Sequence, residues 1–207
     1  MEIELVLPDA SLITCTPDAE RHIELCGREA YGSAPSQNIE DTRAWISKRI
    51  SGWEHDVLEH ASATFHITCS RVVSHELVRH RIASYTQSSQ RFTEDATKQF
   101  IVPPELKGED REEFILDLET MHATYEKWRA HYPRQTARYL LPNATATTIM
   151  MTMNFRELRH LIVMRAAKMA QPEMQLIARL IWTMCMSYWP SVFDDLTVEL
   201  DKRGWNA

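Results

Sequence analysis

Glycine is scarce in this chain, five residues in 207. No GxGxxG turn and no GxxxxGK[ST] loop occurs, which excludes the glycine-rich phosphate cradles of the Rossmann crevice and the P-loop. A nucleotide bound here is therefore held largely by side chains. Cysteine is also sparse. Cys15, Cys26, Cys69 and Cys185 stand far apart with no CxxC pair, a pattern of unpaired thiols in a reducing compartment rather than of a disulfide frame or a zinc site. No apolar run approaches the roughly eighteen residues that a membrane span needs. The acidic N-terminus has none of the basic residues that open a secretion signal. These absences predict a cytoplasmic protein with no metal and no membrane partner. Positive charge is in deficit too, 23 Lys and Arg against 29 Asp and Glu, so no nucleic-acid partner is expected.

What is present is ordinary globular material, 44% hydrophobic and 25% charged, sufficient for one domain spanning 1–207. Residues 2–7 begin with polar–apolar alternation and predict a short strand ahead of Pro8. Helices are expected over 18–29 and 39–51, the second stopped by Gly52. Residues 62–70 alternate cleanly, with Ala63, Phe65, Ile67 and Cys69 on one side and Ser62, Thr64, His66 and Thr68 on the other. That is the signature of a half-buried strand. A helix follows over 71–81, with Val73 and Leu77 inward and Glu76, Arg79 and His80 on another face, then a polar loop to 98.

Helix 110–131 carries Phe114, Leu118, Met121, Tyr125 and Trp128 at helical spacing. Pro133 opens a short helix ending near Pro142, and the β-prone run 145–153 leads into a helix over 154–170. Pro172 opens a last helix whose stripe is Met174, Ile177, Ile181 and Cys185. Trp182 and Trp189 lie on mixed faces that fit either core or an interface. Few strands, many helices and no regular βα alternation predict an α+β fold, a small and mostly antiparallel sheet flanked by several long helices.

The chemistry is concentrated in 79–91, Arg-His-Arg-Ile-Ala-Ser-Tyr-Thr-Gln-Ser-Ser-Gln-Arg, which has three arginines and no acid within an acidic protein. Guanidinium forks bind phosphate through paired, charge-assisted hydrogen bonds. The amides of Gln87 and Gln90 match the donor–acceptor edge of a base. A solvated basic loop, its arginines paired with surface acids, is the other reading of the same residues.

Arg79, His80, Arg81, Ser84, Ser89 and Arg91 together resemble the signature of the flavin-dependent thymidylate synthases, Arg-His-Arg, seven residues, Ser, then Arg two positions on. Leu58-Glu59-His60 is similar to that family's Leu-Glu-His element, and 137–142 to its Ala-Arg-x-x-Leu-Pro element. Asn154-Phe155-Arg156 and Arg165-Ala166 resemble its next helix, so the likeness covers about 52–175. Some members of that family have Asn-Glu where this chain has Thr86-Gln87, and a glutamine at the second position also occurs in it. Two positions depart from it: Glu54 stands where a histidine is usual, with His55 one step later, and Ala30 takes the place of a frequent serine, with Ser33 nearby.

The resemblance implies reductive methylation of dUMP to dTMP. The carbon donor is 5,10-methylenetetrahydrofolate and the hydride carrier is FAD reduced by NADPH. Glu59, Arg79, His80, Arg81, Asn154, Arg156 and His160 would contact FAD. Glu76, Arg79, Gln87, Ser88, Ser89, Arg91, Arg138 and Arg165 would surround dUMP. Arg165 and Ser89 would be the catalytic residues, Arg165 polarising the uracil and Ser89 acting as a substrate-binding hydroxyl rather than as a nucleophile. A homotetramer with active sites shared between chains is also implied. No cysteine lies within or beside the motif, so a covalent cysteine route is not expected.

Three other readings remain. One is flavin-dependent methylation of a different uridine nucleotide or of uridine in RNA, and another is a non-catalytic phosphate- or RNA-binding module. The third is a metal hydrolase using His55, His60, His66, His75 and His80, whose spacing matches no tight ligand motif. For Glu76, an ion pair with Arg79 or His80 one turn on is the structural alternative, and His160 fits a packing role as well as a flavin contact.

Overall fold

The computed structural model describes residues 3–93 and 95–204, and of Asp95 the backbone alone. The chain opens with strands β1 (Glu4–Leu5) and β2 (Asp9–Cys15) and helices α1 (Ala19–Glu29) and α2 (Ile39–Ser51). A 3-10 turn at Asp56–His60 leads into β3 (Ser62–Ser70), α3 (Arg71–Leu77), β4 (Ala83–Gln87) and β5 (Gln99–Phe100). Then come α4 (Gly108–Arg129), α5 (Arg134–Ala137), a 3-10 turn at Arg138–Leu140, and β6 (Ala146–Asn154). Helices α6 (Phe155–Arg165), α7 (Pro172–Tyr188), α8 (Pro190–Phe193) and α9 (Leu196–Lys202) finish it. This is the expected α+β architecture. Among the described residues, no helix is long and apolar enough to cross a membrane.

The main sheet is antiparallel with strand order β2-β3-β6-β4, and β1 pairs with β5 in a separate parallel ribbon. Odd-numbered residues face each other across β3 and β6, Phe65 opposite Met151 and Ile67 opposite Ile149. That face is sealed from water and forms the main core with Leu158, Ile162, Ile177 and Ile181 from α6 and α7. Full burial of side chains such as Phe65 and Ile67 contributes about 1.5–3 kcal/mol each. The even-numbered face, bearing Thr64, His66, Thr68, Thr148 and Thr152, stays half-exposed. A smaller core joins Ile3, Phe100 and Leu118, holding α4 to the β1–β5 ribbon.

Several sequence expectations need correction. The first strand, expected over 2–7, is only Glu4–Leu5, and Glu2 lies outside the described residues. The longer strand comes after Pro8 as β2, where a register shift between Leu12 and Thr14 turns Ile13 outward and breaks the local alternation. The helix expected over 71–81 stops at Leu77, and the supposed polar loop to 98 contains β4. The hydroxyl of Tyr85 donates to the carbonyls of Leu77 and His80, 2.7 and 2.9 Å away, and pins that turn. On α4, Leu118 and Tyr125 are buried, but Met121 and Trp128 of the same stripe are 45% and 44% exposed. The helix expected over 154–170 ends at Arg165, and α7 is followed by two further helices. Its Met174, Ile177, Ile181 and Cys185 are all buried, and Trp189 packs on Phe155 in the core.

Two strand-to-helix junctions position the site. Ser70 ends β3 and caps α3 by accepting the N–H of Val73, and Asn154 ends β6 and caps α6 by accepting the N–H of Glu157. Because β3 and β6 are antiparallel, the two helices start at opposite ends of the sheet. Short α3 and the turn after it carry the chain back until Ala83 pairs with Met153, beside the start of α6. Thus the 79–81 segment arrives against α6.

Candidate active site

The centre is a chain of four side chains from α3, the turn after it, and α6. Arg165, the last residue of α6, donates from Nη1 to Glu76 Oε2 at 2.7 Å and from Nε to His80 Nε2 at 3.1 Å. His80 Nδ1 lies 3.0 Å from Glu157 Oε1. An arginine has no acceptor, so Nε2 of His80 must present its lone pair, and the ring proton sits on Nδ1 and is donated to Glu157. Burial is the main force holding the His80 pKa below the ordinary histidine value; the Glu157 hydrogen bond opposes it, and the Arg165 charge adds to it. His80 is therefore a neutral imidazole in one tautomer, 7% exposed. Glu76 resolves its alternative by pairing with Arg165 rather than with Arg79 or His80.

The remaining expected residues divide by what they touch. His160 places its ring edge toward His80, centroids 5.6 Å apart. Arg156 and Glu59, 97 positions apart in the chain, form an exposed ion pair. Asn154 spends its side-chain oxygen on the α6 cap. Gln87 donates to Thr147 Oγ1 at 3.2 Å. The Ser88 hydroxyl lies 2.9 Å from that of Thr147 and accepts the N–H of Thr148 at 3.1 Å, so it serves the sheet edge. Ser89 accepts the N–H of Arg91 at 3.2 Å, and no histidine or carboxylate hydrogen-bonds it among the described residues. Arg91 lies over the ring of Phe92. Arg79, Arg81, Arg91 and Arg138 make no ion pair with a carboxylate among the described residues, which leaves four guanidiniums ready for an anion.

His80, Glu157 and His160 present ligand atoms within 4.8 Å of one another, a grouping that chemically suits a divalent ion. Both ring nitrogens of His80 are engaged, however. A metal on Nδ1 would force the proton to Nε2, directly opposite the Arg165 Nε–H, so the arrangement favours the organic hydrogen-bond network. Of the five histidines weighed as hydrolase ligands, only His80 belongs to this grouping. His55 instead bonds the Ile50 carbonyl and stacks on Trp53. Among the departures, Glu54 is held by Arg49 and Tyr31, and Ala30 caps α1.

Two members of the network were not singled out from sequence. Glu157 sits three residues after the cap Asn154, where a capping-box carboxylate is expected to reach back to the cap N–H. It turns to His80 instead. Tyr85 gave no signal beyond lying inside the motif.

Comparison with known proteins identifies the family. Residues 11–191 match the family model described as thymidylate synthase complementing protein, Thy1. A flavin-dependent thymidylate synthase of Geobacter sulfurreducens is 35% identical over 198 residues, covering 89% of this chain and 85% of that protein. One from Mycobacterium leprae is 33% identical over 219 residues, covering 94% and 86%. In fold, the chain resembles the crystal structure of the UMP/dUMP methylase PolB from Streptomyces cacaoi bound with 5-Br dUMP. The TM-score is 0.79 at 20% identity, with 95% of this chain and 97% of that one covered. The motif at 79–91, the site that α3 and α6 build around it, and the match over 11–191 place this chain in the Thy1 family of thymidylate synthase complementing proteins.

Proposed function

We propose that this protein is a flavin-dependent thymidylate synthase that converts dUMP to dTMP with methylenetetrahydrofolate, FAD and NADPH, in the cytoplasm. The observation that carries the reading is Arg165 locked between Glu76 and a neutral His80. A cation needed to stabilise charge developing on a uracil ring works best when it is already fixed in place. Nη1 and Nε of Arg165 are engaged, while Nη2 has only a 3.5 Å contact to the Glu76 carbonyl and keeps donor capacity for a substrate oxygen.

The residues present suit FAD. Arg79 and Arg81 are cations without carboxylate partners among the described residues and can meet a diphosphate, and His80, His160 and the Arg156–Glu59 pair offer ring and hydrogen-bonding surface. Bound flavin, reduced by NADPH, supplies the hydride. Arg91, Arg138, Gln87 and Ser89 are assigned to dUMP, and Ser88 acts mainly in holding β4 to β6. Covalent cysteine catalysis finds no support. Cys69 and Cys185 are buried, with burial pushing both thiols upward in pKa, and Cys15 lies on the sheet edge opposite β4. The even-numbered sheet face and the apolar patch of Trp128, Tyr139 and Leu140 suit a homotetramer with shared active sites.

The test is product formation with each of dUMP, methylenetetrahydrofolate, FAD and NADPH omitted in turn. Arg165→Ala is expected to lower kcat by about a hundredfold or more, as loss of an oxyanion-type donor does. Methylation of UMP in preference to dUMP would move the substrate assignment, and no product with no bound flavin would sink the reading.

A further inference from the structure

Glu173 is a buried acid with no part in the chemistry described above. It lies in the first turn of α7, is 3% exposed, and pairs with no cation among the described residues. Its partner is Ser70, where β3 gives way to α3. Oε1 accepts the Ser70 N–H and Oε2 the Ser70 hydroxyl, both at 2.7 Å. A carboxylate withdrawn from water without a counter-ion is costly, so an apolar side chain would serve packing alone better. What the acid adds is orientation. A serine hydroxyl has one proton to donate and two lone pairs. By taking that proton, Glu173 leaves a lone pair of Ser70 Oγ for the N–H of Val73, 3.2 Å away, and so fixes the cap of α3.

Glu76 stands near the other end of that short helix and accepts Arg165 Nη1 at 2.7 Å. Arg165 and Glu173 are in turn the two ends of one stretch, the connection from α6 to α7. Ala166 and Ala167 are buried within it, and the side-chain amide of Gln175 donates to the Ala170 carbonyl at 2.6 Å. The stretches 70–76 and 165–173 are therefore fastened to each other at both ends, by Glu173 on Ser70 and by Arg165 on Glu76. Two attachments fix how one stretch sits on the other, a constraint that a single ion pair between rotatable side chains does not impose.

We propose that Glu173 is a positioning residue for Arg165, acting through Ser70 and α3 on the Glu76 anchor. The inference rests on the reading of Arg165 as the cation that acts on the uracil.

The test uses the full chain carrying Glu173→Gln, with Ser70→Ala read in the same way should Glu173→Gln fail to fold. Ile181→Val, in the core of α7, is the control for lost stability alone, and Glu76→Ala removes the anchor. Three quantities are read: melting temperature, the Arg165 Nε–H resonance in ligand-free protein, and kcat for dTMP formation. Glu173→Gln is expected to move the Arg165 resonance and to lower kcat about tenfold, as misplacement of a catalytic group does. In the Glu76→Ala background it should lower kcat no further, because residues that act through one contact are not additive. Ile181→Val should melt lower yet keep the wild-type resonance and kcat. An unmoved resonance, an unchanged kcat, a tenfold loss that repeats in the Glu76→Ala background, or an equal loss of kcat in Ile181→Val would overturn the proposal. A wild type that makes no dTMP, while Glu173→Gln still moves the Arg165 resonance, would sink the thymidylate synthase reading and leave the positioning role standing.

Discussion

Replacing Glu157 by alanine removes the acceptor for the His80 Nδ1–H and with it the hold on the ring's orientation. The carboxylate is 12% exposed and the imidazole side chain 6% exposed, so water does not readily take its place. A buried donor left without its charged partner costs about 1.5–3 kcal/mol. For a chain of 207 residues, that corresponds to a fall in melting temperature of roughly 3–12 °C. A second consequence is chemical. Once Nδ1–H has no partner, the ring is no longer held in orientation from that side, and the acceptor that anchors Arg165 Nε is free to turn away. Catalysis is then expected to fall by about tenfold or more through misplacement of the cation. Glu157→Gln separates the two effects, because an amide oxygen still accepts from Nδ1–H and should restore much of the rate. Thermal melting, steady-state kinetics and nitrogen NMR of the His80 ring read the three quantities. If Glu157→Ala melts with the wild type, keeps the wild-type rate and leaves the His80 ring resonances unmoved, the network has been misjudged.

Acid should destabilise the protein. His80 and His122 both have pKa values lowered from 6.5 by burial, so the unfolded chain takes up protons first, and stability is complete above about pH 6.5 and declines as pH falls below it. Melting temperature followed from pH 8 to 5 checks this, and a flat or rising profile toward pH 5 would contradict it. Arg156→Ala breaks an ion pair whose partners are 53% and 49% exposed, so stability should change by less than about 1 kcal/mol while flavin binding, followed by its visible absorbance, weakens clearly. Ile67→Ala, in the sealed face of the sheet, should cost about 2–5 kcal/mol, read by denaturant unfolding.

Local pattern carried much of this structure. The alternation of 62–70 gave β3 residue for residue, and the helix expected over 39–51 with its stop at Gly52 matches α2 from Ile39 to Ser51. Both encode periodicity against a nearby boundary, which neighbours in sequence suffice to express. β4 was not legible, because Ala83-Ser84-Tyr85-Thr86-Gln87 has one small and one aromatic residue as its only apolar signal and becomes a strand through pairing with β6. β2 was missed where a bulge breaks the alternation that would have marked it.

For the site, the signature at 79–91 named His80 and the later arginine named Arg165, but as a flavin contact and a substrate contact. The tertiary structure alone decided that they touch each other, across 85 positions, with Glu157 and Glu76 completing the chain. The physical reason is that ring tautomer, charge state and donor capacity depend on burial and on partners within about 3 Å. Those partners come from helices that start at opposite ends of the sheet, so no stretch of sequence contains them together.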